Sequence, residues 1–348
     1  MGVGPTSAQS PSSSWAFTSQ PFSELWFHGM ALVDPIGPGP SPLYDPGYPA
    51  EVQRAKDAER VGRTRLDSQL ARFRSEFRRD PAFEVFHFLP LYFPQAGRTE
   101  IFTALELLAG TDEGIPRAPS PRTSFGMAAV GAVLTTPGQR RVLGDFVTAL
   151  IDEWAGFYEI HWQGMAEERR EVEGSLRSAW IGQYGPALAP FLNGLGMPSG
   201  MVVLVPSLGG EGRIFGGSPQ HQRDNVLMVS APADSDQAHD AVFSMLRELS
   251  FPLVRRVMQQ VGITGGNPNE EESLAAKAAI RSGALVLEIS RPEKLTHYQR
   301  FFLSHVADSP PSGEDTEAAF GEAFSLPTDF DEALRREIST TITSGDPG

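Results

Sequence analysis

Apolar side chains recur at helical spacing through most of the chain from Ala50 to Gly196, then switch to short strand-like runs after Ser199. Leu66, Leu70, Phe73 and Phe77 stand at i, i+4, i+7 and i+11, one apolar stripe behind the capping-box variant Thr64-Arg-Leu-Asp67. Asp80-Pro81 pairs a cap with proline at the first helical position and opens an aromatic segment from Phe83 to Phe93. Helices are predicted over Arg98–Leu108, Arg122–Leu134 and Gly138–Glu173, the last carrying Phe146, Leu150, Trp154, Phe157 and His161 on one face. Ahead of them, Glu24–Val33 is an apolar, aromatic element, either a strand or a short buried helix, and a Pro/Gly-dense loop follows from Asp34 to Pro49.

Met201–Val205 is β-branched and bounded by Gly200 and Pro206, which predicts a strand. Gly209–Gly212 reads as a turn, with further strands at Arg213–Phe215 and Asn225–Val229. A long helix starts after Pro232, capped by Asp234 or Asp236, and ends at the glycine-rich break Gly262–Gly266. Pro268 begins another helix to about Ser290 with acidic residues in its first turn, followed by Pro292–Val306 and a terminal helix near Thr328–Thr341. The expected fold is α+β, predominantly helical, with a small antiparallel sheet next to one long helix. Residues 1–20 read as a flexible tail, 21–198 as a helical lobe and 199–348 as an α+β lobe with C-terminal helices.

Charge and composition narrow the partners. The formal charge of −14 argues against nucleic acid, because phosphate binding needs a basic surface. The arginine run at Arg72, Arg74, Arg78 and Arg79 reads as a solvated helix face. There is no cysteine, which removes disulfides, thiolate metal sites and thiol nucleophiles. No apolar run is long enough for a transmembrane helix. The opening MGVGPTSAQSPSSSWAFTSQ is no intact signal peptide but resembles the spacer left after one, which points to an exported protein, with a cytoplasmic one as the alternative.

The chemistry concentrates in Arg247-Glu248-Leu249-Ser250-Phe251 of the long helix. This pentad has the frame of H-E-x-x-H, in which two histidines one turn apart hold Zn²⁺ and the glutamate is the general base. Here Arg247 and Phe251 occupy the ligand positions, and neither has a lone pair to donate. Short strands, then a helix bearing Glu, then a second helix with acidic residues resemble the catalytic half of the zincin metallopeptidases, over roughly Met201 to Ser290. The resemblance implies that Glu248 is a relic of the general base, that Arg247 and Phe251 replace the two zinc ligands, and that one of Glu270, Glu271 and Glu272, with Glu271 best spaced, falls near the third ligand of the gluzincin branch. It further implies a non-catalytic homologue without metal or other cofactor that binds a peptide or protein in the relic cleft, along an exposed strand edge at Asn225–Val229. Arg247 is expected to pair with Glu248 or an acidic neighbour, and Phe251 to fill the second ligand's volume.

Taken without any family, the helix is also explained as structure, with Ala238, Val242, Met245, Leu249, Leu253 and Val257 on one apolar face and a bend at Pro252. Two alternatives therefore stay open: an active hydrolase whose metal is held by residues gathered in space, and an unrelated helical structural or interaction protein. For the first, His28 with His221 or His239 is the candidate grouping, since no two histidines stand at i and i+4. His161, His297 and His305 read as packing or surface residues. No Gly-x-Ser-x-Gly elbow is present, Ser207 reads as a turn residue, and the glycine-rich turn lacks the Lys-Ser/Thr of a phosphate loop.

Overall fold

A computed structural model describes residues 14–34, 43–216, 225–263, 265–306 and 315–346. The chain enters through strand β1 (Ser14–Thr18) and helices α1 (Pro21–Val33), α2 (Tyr48–Glu59) and α3 (Arg65–Arg79). Two 3₁₀ turns over Pro81–Tyr92 lead to α4 (Arg98–Ala109), α5 (Pro121–Val133) and α6 (Pro137–Glu153). After a π-helical turn at Trp154–Tyr158 come α7 (Glu159–Gly164) and α8 (Ala166–Ala179), then a second π turn at Trp180–Tyr184 and α9 (Gly185–Gly194). Strands β2 (Ser199–Val205), β3 (Arg213–Phe215) and β4 (Val226–Ser230) precede α10 (Ala238–Gln260) and α11 (Pro268–Ser290). The helices α12 (Leu295–Ser304), α13 (Asp315–Ala323) and α14 (Thr328–Gly345) complete the fold. Among the described residues no helix is long and apolar enough to cross a membrane.

The molecule is mostly helical with one small sheet, as the α+β expectation had it. The sheet is mixed rather than antiparallel. Its order is β1-β2-β4-β3, with β1 and β4 parallel to β2 and only β3 antiparallel to β4. The parallel pairs require long returns of the chain, which periodicity within a strand does not report. Part of the expected tail supplies the first strand: Trp15 and Phe17 are buried, and the Trp15 indole donates to the Met197 carbonyl at 3.2 Å. The spacer before Ser14 and His221 lie outside the described residues.

Both faces of the sheet are covered. Val203, Val205, Val226 and Met228 point into a core built from α1 to α6. Their alternates Val202, Leu204, Leu227 and Val229 point into a second core built from α8 to α14. The first core draws its helical residues from the chain up to Tyr158 and the second from Val172 onward, and the sheet is the shared middle layer. α1 resolves the strand-or-helix alternative as a helix, buried along nearly its whole length as an all-round apolar sequence requires. The predicted stretch Gly138–Glu173 is interrupted by the π turn and by Met165. The capping box at Thr64 and Asp67 forms as predicted.

α1 carries two ionisable groups into the first core. Glu153 lies 3.0 Å from His28 Nε2 and 2.7 Å from Lys56 Nζ, and accepts from the Thr64 hydroxyl. Lys56 also meets Asp67 at 2.9 Å, and His28 Nδ1 lies 3.0 Å from the Tyr48 hydroxyl. Burial pushes the Glu153 carboxyl up, but the hydrogen bonds and charges of His28 and Lys56 outweigh it and hold it at about 2. This network ties α1, α2, α3 and α6 together. Lys56→Met should therefore destabilise the protein by about 3–5 kcal/mol, since it strips a buried cation from two carboxylates. Urea denaturation checks this, and a loss below about 1 kcal/mol would mean that Lys56 is dispensable.

Candidate functional site

The loop between β2 and β3 brings charge to the helix that carries Glu248. Gly209 N–H donates to the Leu43 carbonyl at 2.9 Å, and the Ser230 hydroxyl donates to Leu208 O at 2.8 Å, fixing the loop against both layers. At Gly212 the backbone passes so close to β4 and α10 that a Cβ would stand 2.5 Å from Met228 O and 2.9 Å from Glu248 Cγ. Only glycine fits there. That approach lets Gly212 N–H donate to Glu248 Oε1 at 3.1 Å.

Around this contact four side chains alternate in charge. The Arg247 guanidinium donates to Glu248 Oε1 through Nη1 and to Glu211 Oε1 through Nη2, the latter at 3.0 Å. Glu211 Oε2 lies 3.5 Å from Arg213 Nη1. Arg247 and Glu248 are nearly inaccessible. Burial raises the Glu248 carboxyl above its ordinary range, with Arg247 and Arg213 offsetting part of the rise. Burial alone would lower Arg247, but Glu248 and Glu211 together keep it above its ordinary value. The Phe251 ring lies 5.0 Å below the same guanidinium. The structure thus brings together Arg247, Glu248 and Phe251 of the predicted site and adds Glu211, whose loop position carried no signal of its own in the sequence.

Arg247 and Glu211 form part of the wall of a cleft of about 920 Å³, toward the upper end of the roughly 300–1,000 Å³ range of ligand sites. The cleft opens at the carboxyl ends of the parallel strands β2 and β4, where Leu204, Pro206 and Ser230 line it. α10 and α11 contribute Asp240, Ala241, Ser244, Ser273, Lys277 and Ile280 to the lining. The loop before α2 and α2 itself contribute Tyr44, Asp45 and Glu51, and α8 contributes Glu168 and Arg169. Phe301 and Phe302 of α12, with His305 after it and Phe324 after α13, complete it.

Arg169 is itself tethered from below. Its Nε lies 3.4 Å from Glu24 Oε2 of α1, and its guanidinium stacks on Trp162 at 4.2 Å. Burial pushes the Glu24 carboxyl up to about 7 against the opposing pull of Arg169.

Two predicted site residues stand elsewhere. Asn225 is buried beside the interior strand β4, donates to Ser199 O at 2.8 Å and lines a separate recess of about 190 Å³. The strand edge expected there does not exist, because β2 and β3 flank β4 on both sides. Glu271 accepts from Gly266 N–H at the start of α11, while the α11 side chains that face the cleft begin at Ser273. The α11 residues that line the cleft with Arg247 are Ser273, Ala276, Lys277 and Ile280, beyond the first turn that holds Glu271. The histidines also disperse: His28 joins Glu153, His239 Nδ1 lies 2.9 Å from the Tyr184 hydroxyl, and His161 stacks on Phe157. Among the described residues no three His, Asp or Glu side chains gather as a metal ion would need. Comparison with protein-family models, curated proteins and solved structures finds no match for the chain.

Two outcomes follow from these charges. Arg247→Met should destabilise the fold by about 3–5 kcal/mol, and adding Glu211→Gln and Glu248→Gln should recover most of the loss. Equal instability of the single and triple variants in urea would show that packing, not charge, is what Arg247 contributes. Glu24 gives a pH dependence of defined sign. A carboxyl raised in the folded state supports folding fully below its ordinary value of 4.5 and withdraws that support as pH climbs to about 7. Unfolding free energies of the parent protein should fall by roughly 3 kcal/mol relative to Glu24→Gln between about pH 4.5 and 7. Parallel pH profiles for the two proteins would remove the effect.

Proposed function

We propose that the protein binds a peptide or protein segment in a cleft derived from a zincin-like peptidase, and that it does not hydrolyse what it binds. The observation that carries this is the Arg247 guanidinium, which stands at the first ligand position of the H-E-x-x-H frame and neutralises Glu248 and Glu211 together. A zinc ion bound by such a frame supplies a Lewis acid and a water of lowered pKa. Arg247 supplies positive charge in the same place but can accept no lone pair into a coordination shell. Glu248, buried and bonded to Gly212 N–H, holds the loop in position instead of taking a proton from water.

Strand position supports the same reading. Gly212 leads directly into β3, the terminal strand of the sheet order, and its N–H bonds Glu248, so the strand next to the long helix starts beside the cleft residue Glu211. In zincins a strand runs along the substrate cleft in that relation to the motif helix. Lys277 and Ile280 of α11 line the cleft together with Arg247.

If the frame is inherited, histidines restored to it should hold metal. Arg247→His with Phe251→His should retain near-stoichiometric zinc after dialysis, read by elemental mass spectrometry, with Glu211 and Glu248 available as further oxygen donors. Phe251→His alone should retain none. A folded double variant with zinc at background would sink the ancestry.

A further inference from the structure

The cleft carries more carboxylate than its own cations answer. Arg247 is engaged by Glu248 and Glu211, and Arg169 by Glu24. Four further carboxylates line the space. Asp45 accepts only a backbone bond, from Gly47 N–H at 2.7 Å. Glu51 has Arg54 at 3.9 Å, a solvated pair of little strength. Glu168 is exposed on α8 and makes no ion pair among the described residues. Asp240 has His297 at 3.5 Å, and its Oδ1 is buried without a hydrogen bond. Against these, Lys277 is the one lysine or arginine lining the cleft, among the described residues, that no carboxylate engages.

Apolar groups share the cleft with these charges. Asp45, Glu51 and Glu168 come from the loop before α2, from α2 and from α8, and Asp240 from α10. Ile280 comes from α11, Phe301 and Phe302 from α12, and Phe324 directly follows α13. An anionic ligand would meet the repulsion of these four carboxylates, and a purely apolar one would leave them facing low-dielectric surface.

We infer that the cleft takes a cationic segment of extended peptide, with its lysine or arginine side chains on Asp45, Glu51, Glu168 and Asp240 and its apolar side chains against Ile280, Phe301 and Phe324. The inference rests on the peptide-binding reading above and adds the charge and polarity of the partner. Lysine or arginine suits the site because a long stem covers apolar wall while the head reaches the carboxylates. The acidic surface of the whole chain, at −14, steers such a partner toward it.

The test uses three fluorescein-labelled synthetic peptides of equal length, alternating Leu/Phe with Lys, with Ser or with Glu, and fluorescence anisotropy on the full chain. The Lys peptide should bind at least about tenfold tighter than the other two, and weaken as salt rises. Glu51→Lys with Glu168→Lys should weaken it about tenfold, whereas Glu106→Lys with Glu113→Lys, exposed and outside the cleft, should leave it bound. Ser273→Trp, which fills the α11 wall, should block it while circular dichroism stays unchanged. Equal affinity for all three peptides, abolished by Ser273→Trp, would overturn the charge inference and leave the peptide-binding reading standing. Equal losses from both Lys double variants would also overturn it, as mere attraction to an acidic surface. No binding by any peptide, or binding indifferent to Ser273→Trp, would overturn both.

Discussion

Burial of one small sheet on both faces is the constraint from which the rest of the architecture follows. β2 and β4 carry almost unbroken β-branched and aliphatic runs, and alternate side chains go to opposite cores. A strand apolar on both faces is stable only as a middle layer, so helices must cover it twice. The chain before β2 builds most of one cover, and the chain after β4, with α8 and α9, builds the other. Trp15 and Phe17 of β1 are drawn into the second cover although the rest of the first hundred and fifty residues belongs to the first.

A second constraint acts at closer range. Carboxylates and guanidinium groups buried in that middle region stay charged only when each has a partner. The sequence Arg213, Glu211, Arg247, Glu248 meets this by alternation across a loop and a helix, with Gly212 allowing the approach. His28, Lys56, Glu153 and Asp67 meet it again in the first core. Both networks join segments distant in the chain, so each acts as a tether as well as a charge balance. Specificity of packing is the role that fits their positions, since well-packed apolar groups of the same volume would be at least as stable.

How much was legible follows from which contacts are local. Helix starts at Thr64 and Pro268 were readable because a cap acts over three or four residues. The pairing of Arg247 with Glu248 was foreseeable because the two are adjacent in the chain. Glu211 was not, since nothing in Gly-Gly-Glu-Gly marks which helix the loop meets. The parallel pairing of the sheet is not legible in the sequence, because a two-residue period states which faces are apolar and is silent on neighbour and direction. Glu271 is best spaced in the sequence, yet spacing along the chain is silent on which turn of α11 reaches the cleft, and the lining there starts at Ser273.

The sequence by itself determined most of the helices, the three strands after Ser199, the absence of a lone-pair donor at Arg247 and Phe251 and the net charge of −14, because each of these is a property of residue type or of spacing within one element. Tertiary structure alone decided that β1 joins the sheet, that β4 is interior, that Glu211 shares Arg247 with Glu248 and that five carboxylates line one cleft. Those are contacts between elements far apart in the chain, fixed by how the layers pack on the sheet, and no local pattern encodes which distant partner a buried charge will find.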